Sequence, residues 1–128
     1  MKSHHHLPII VASAVLGVLV SMPLLRADAK KPKHTVSDVL KAVHKGEDNI
    51  GKRVARGEAS TEDLAKMLEY YESLPANEPP RGPKDSWAAK TSQLLSAARA
   101  VKAGTPGALD QYKQASNCKA CHNTHKPE

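Results

Sequence analysis

Residues 86–106 read SWAAKTSQLLSAARAVKAGTP, and the fold class is decided here. Trp87, Thr91, Leu94, Leu95, Ala98 and Val101 recur at spacings that share one helix face. Asp85 or Ser86 supplies a cap. Gly104 stands where a helix-ending glycine belongs. Thr105-Pro106 then reads as the cap and first position of the next helix. Downstream, Leu109, Tyr112 and Ala115 lead that helix into Asn117-Cys118-Lys119-Ala120-Cys121-His122.

Upstream, Ser60 caps another helix, with Thr61, Glu62 and Asp63 placing negative charge at its positive end. Leu64, Met67, Leu68 and Tyr71 form its apolar face, and Leu74-Pro75 ends it. Residues 75–85, PANEPPRGPKD, make a stiff loop. Thr35 or Ser37 caps the first helix, with Asp38 placed for a capping box with Thr35. Its stripe is Val36, Val39, Leu40, Val43, Ile50 and Val54, and Gly57 stops it. Gly46 and Gly51 weaken it by about 1 kcal/mol each relative to Ala, so it depends on packing. Strand signals are absent. The chain is expected to be all-α, an antiparallel four-helix bundle.

Of 128 residues, 19 are basic and 13 acidic, giving +6. There is one Trp, three Tyr and no Phe, so large core fillers are scarce. Two cysteines exclude a multi-bridge disulfide scaffold. Nucleic-acid binding is not expected, because no stacking motif accompanies the positive charge. Lys2, the apolar run Leu7–Leu25 and Ala27-Asp28-Ala29 read as a secretory signal peptide over residues 1–29, cleaved after Ala29. An uncleaved membrane anchor is the alternative. Residues 30–35 then form a flexible basic tether, and residues 36–128 the folded domain, with no membrane span after cleavage.

Cys118-Lys119-Ala120-Cys121-His122 is CxxCH, the attachment signature of c-type haem. On a helix, positions i, i+3 and i+4 share a face. Both thiols can therefore reach two vinyl groups of one haem and form thioethers, while His122 ligates the iron. A single covalent haem c would also supply the large planar apolar filler that the composition lacks. A redox dithiol would ordinarily open a helix after a strand, and no strand precedes this one. Zinc would need Cys118, Cys121, His122 and His125 within eight residues, unlike the separated ligand pairs of structural zinc sites. An apolar cleft is expected beside the last helix.

Export signal, four helices and CKACHNTHK near the C-terminus together resemble the class II c-type cytochromes, the cytochrome c-prime family. The resemblance covers residues 36–126. Lys126, four positions after His122, and Trp87 match residues common in the family. It implies a left-handed bundle, a largely buried haem and an exported or periplasmic setting. Five-coordinate members bind gases such as nitric oxide, and six-coordinate members carry electrons. The latter use a Met from the first helix, where this chain has Val43-His44-Lys45. His44 is thus the candidate distal ligand, against the plainer alternative of a solvated histidine on the flank of the apolar stripe. His125 is expected near the haem edge or in solvent, and His34 on the tether.

The sequence therefore points to an exported mono-haem cytochrome used in one-electron transfer, with a gas-binding haem protein as the main alternative. A small exported helical binding protein with an incidental CxxCH is the non-haem alternative. Lys41, Lys45, Lys52, Arg53 and Arg56 give the first helix a basic face suited to docking an acidic redox partner. A homodimer and a monomer are both compatible with the sequence. No acid/base pair, nucleophile elbow or phosphate loop points to an enzyme.

Overall fold

A computed structural model describes residues 31–128, so the signal peptide expected over residues 1–29 lies outside the described residues. Within them the chain is all helical, with no strand. The α-helices are α1 (Val36–Val39), α2 (Ile50–Arg56), α3 (Thr61–Tyr71), α4 (Lys84–Lys102), α5 (Ala108–Ala115) and α6 (Cys118–His125). A π-helical segment, Leu40–His44, continues directly from α1. No helix among the described residues is long and apolar enough to cross a membrane.

Local chemistry explains most boundaries. Thr35 and Asp38 form the capping box of α1, and Ser60 and Asp63 form that of α3. Two helices expected to be continuous are broken. The first stops at His44, because Lys45 is extended and Gly46 takes φ +98°, a conformation that favours glycine. Asn49, buried, restarts it. Its side-chain amide donates to the carbonyls of His44 (3.0 Å) and Gly46 (2.9 Å), and its oxygen accepts from Lys52 N–H (2.9 Å). The last helix breaks at Ser116, and Asn117 caps α6 by accepting from Ala120 N–H at 3.2 Å. Two other starts also differ from expectation. Helix α4 begins at Lys84 after Pro83, and α5 begins at Ala108 after Gly107, with Thr105 and Pro106 in the preceding turn.

Packing runs in a ring: α2 against α3, α3 against α4, α4 against α5, and α5 back against α2. The core contains Val39, Val43, Val54, Met67, Tyr71, Trp87, Ala98 and Tyr112. Trp87 satisfies its indole N–H on the Leu74 carbonyl at 3.0 Å, tying α4 to the end of α3. Leu40, expected on the apolar stripe, is 47% exposed. The expected tether is pinned at its end. His34 stacks on Tyr70 with ring centres 4.1 Å apart, and its backbone N–H donates to Ser73 Oγ.

Candidate functional site

Helix α6 carries Cys118, Cys121 and His122 at positions i, i+3 and i+4. Both cysteines are free thiols. Cys121 is half-buried and packs against the core cluster, whereas Cys118 and His122 are exposed. Burial pushes the Cys121 thiol up, opposed by the nearby Lys90 charge. The Cys118 thiol contacts the Ser116 carbonyl at 3.5 Å. It also lies close enough to Tyr71 and Tyr112 to raise both phenols further, beyond the larger effect of their burial. Two thiols so spaced can each add to one of two vinyl groups, and the adjacent imidazole can serve as an axial ligand.

The other candidate iron ligand from the sequence is His44. It is half-buried, and burial holds its imidazole below the ordinary value. Its Nε2 lies 2.8 Å from the Tyr71 hydroxyl, which lies 3.0 Å from the Tyr112 hydroxyl. The solvated-flank alternative is therefore not what is found. The π segment explains the difference, because its i→i+5 spacing brings residue 44 round beneath Val39. Gly51 completes the seat: a Cβ there would lie 2.8 Å from His44 Nδ1. The sequence places Tyr71 on an apolar helix face and Tyr112 in the run that leads into the cysteine motif. The missed signal was their placement, one on α3 and one on α5, at buried positions that still require a hydroxyl partner.

His125 is neither solvated nor grouped with His122. It is 2% exposed, with Nδ1 2.7 Å from the Arg81 carbonyl and Nε2 3.2 Å from Ser86 Oγ. Its ring meets Trp87 edge-on at 5.4 Å. Among the described residues no three His, Cys, Asp or Glu side chains gather to hold a metal ion, so the four-ligand zinc set is not assembled.

Two clefts lie away from the apolar slot expected beside the last helix. A cleft of about 410 Å³ lies between residues 75–79 and the start of α4, lined by Glu78, Lys84, Asp85 and Trp87. A second, of about 200 Å³, lies between α4 and α5. Neither touches α6. Tyr71 and Tyr112, both 0% exposed, instead close the interior near Cys118.

The basic face expected on the first helix is neutralised at its two arginines. Arg53 pairs with Asp63 and Asp48, and Arg56 pairs with Asp48 and Glu58. Lys41, Lys45 and Lys52 remain exposed there, and Lys119 and Lys126 are exposed on and beside α6. Comparison with known proteins finds no matching family model, no matching curated protein and no matching solved structure.

Proposed function

We propose that this chain is an exported c-type cytochrome carrying one covalent haem c and serving one-electron transfer. Cys118 and Cys121 would form the thioethers, and His122 the proximal bond to iron. The observation that carries this reading is two free thiols and an exposed imidazole at positions i, i+3 and i+4 of one short helix. The haem would supply a one-electron couple at its iron. Cys121 would anchor the core side of the group. Asn117 fixes the start of α6 and with it the direction of both thiols. His125 holds the far end of α6 against Trp87.

In the finer fold we propose, α1, the π segment and α2 count as one rod, α3 and α4 as two more, and α5 with α6 as the fourth. That is the antiparallel four-helix bundle of the cytochrome c-prime type. The partner we propose is a redox protein with an acidic surface. With Arg53 and Arg56 engaged in ion pairs, the lysines on and beside α6 are better placed to meet it than the first helix's arginines.

A second reading has its own support. His44 Nε2 is engaged with Tyr71, which suits a five-coordinate iron open to nitric oxide or carbon monoxide. Expression of the full chain with a c-type haem-attachment system tests both. The expected product is the processed polypeptide plus one haem, retained after denaturation, and lost in Cys118→Ser/Cys121→Ser. Low-spin bands in both oxidation states favour electron transfer, and a high-spin ferrous form that shifts with carbon monoxide favours gas binding. A bare polypeptide mass, from a host that matures other c-type proteins, would overturn the haem reading.

A further inference from the structure

We propose that His34 and Glu69 form a proton-operated latch, which docks the strap of residues 33–35 on the end of α3 in weak acid and loosens it as pH rises. The latch uses no residue of the cysteine motif and does not depend on the haem reading.

The strap lies against the last turn of α3 and the residues after it. His34 backbone N–H donates to Ser73 Oγ at 3.2 Å, and the Asn77 side chain donates to the His34 carbonyl at 2.9 Å. The His34 ring lies on Tyr70 within 22° of parallel. These contacts hold the backbone and one ring face whatever the charge on the imidazole. Nε2 is different: it is buried and meets no hydrogen-bond partner among the described residues. A carboxylate oxygen of Glu69 stands 3.6 Å from it.

A buried polar atom left unpaired is unfavourable. A neutral imidazole presents at Nε2 either a lone pair, which the carboxylate repels, or an N–H too distant to bond well. A second proton puts N–H on both nitrogens and a positive charge on the ring, so Nε2 can donate to Glu69 after a small closure. The carbonyl end of α3 also favours a cation beside its last turn. Histidine ordinarily changes charge between about pH 5 and 8. Three other groups face the ring. Lys33, on the strap, competes for the same Glu69 oxygen, Asp38 at the start of α1 adds a weaker attraction, and Tyr70 offers its ring face. Lys33 first, and His34 after it, holds the Glu69 carboxyl below its ordinary 4.5, so the acceptor stays charged while the imidazole titrates. The latch is therefore complete in weak acid, fades as pH rises through the histidine range, and fails again once Glu69 is protonated. Because His34 joins directly to Thr35, its release reaches the capping box that starts α1.

The test follows the full chain by NMR between about pH 5.5 and 8, reading the contact between the ring at position 34 and Tyr70. The ratio of docked to released strap should fall about two- to fivefold over that range, the weight of one part-exposed ion pair. Glu69→Gln keeps the side chain's length and removes its charge, and the ratio should become indifferent to pH. His34→Phe keeps the stack on Tyr70 and removes the titrating group, with the same result. Lys33→Met removes the competitor for Glu69, so the response to pH should grow. A response that shrinks in Lys33→Met would assign the docking to a Lys33–Glu69 clamp and overturn the latch. A wild-type ratio indifferent to pH, or a response that survives in His34→Phe or Glu69→Gln, overturns it as well and leaves the haem reading intact. Should Glu69→Gln not fold, His34→Phe decides. A chain that takes up no haem overturns the haem reading and leaves the latch standing.

Discussion

Gly51 shows how a residue's worth depends on what stands opposite it. From sequence it is a weak point, costing about 1 kcal/mol against Ala in a helix. In the fold it is buried, and the added carbon of an alanine would come within 2.9 Å of two atoms of the His44 ring. Gly51→Ala thus sets a gain in helix propensity against loss of the His44 seat. We expect the second to win. The ring must swing away from Tyr71, leaving a buried hydroxyl pair short of a partner at a cost of about 1–3 kcal/mol. Urea unfolding should show a net loss of stability with helix content unchanged by circular dichroism. A more stable variant that keeps the Tyr71–His44 contact by NMR would contradict this.

Helix α6 is fixed at one end. His125 locks its C-terminal turn onto Arg81, Ser86 and Trp87, and Gly82 sits so close beneath it that a Cβ there would meet the Thr124 carbonyl at 2.7 Å. The Cys118 end is exposed. His125→Ala would leave the Arg81 carbonyl and Ser86 hydroxyl without that partner. Hydrogen exchange should accelerate across α6 while α4 stays protected, since the loss is local. Equal acceleration in both helices would mean His125 supports the whole core instead. The sequence made the motif on α6 legible through its spacing, and the capping box of α3 through Ser60 and Asp63. The interruption before α6 was also written there, in Asn117, but apolar periodicity through Tyr112 and Ala115 masked it. Nothing local marked the π segment. Within it Val43 is buried with Val39 before it, Leu40 is exposed and His44 meets Tyr71.

Across the whole molecule, all-α architecture was readable because helix periodicity is a property of short windows, whereas the His44–Tyr71–Tyr112 chain joins residues 27 and 41 positions apart. The same distinction governs the response to pH. The carboxylates with depressed values each tie local caps or separate elements. Asp38 is held by Thr35, Asp48 by Arg56, Glu69 by Lys33, and Asp63 by Arg53 and then by Ser60. Asp63 is held to about 2 against an ordinary 3.8. A carboxylate with a lowered folded value contributes stability above its unfolded value and loses it as pH falls through the folded one. The acid loss should therefore run from about pH 4 down to about 2. Tyr71 and Tyr112 act at the other end, because burial raises both phenols. Their contribution is complete below an ordinary 10.0 and fades as pH rises beyond it. Denaturant midpoints taken across pH should fall at both ends. Asp63→Asn should flatten the acid limb, since it removes the charge that pairs with Arg53 on α2 and weakens the bond from Ser60 N–H in the α3 capping box, while Ser60 stays as the cap. Tyr112→Phe should flatten the alkaline limb and leave the acid limb unchanged. An acid limb indifferent to Asp63→Asn would place the acid-sensitive contacts outside the α2–α3 joint.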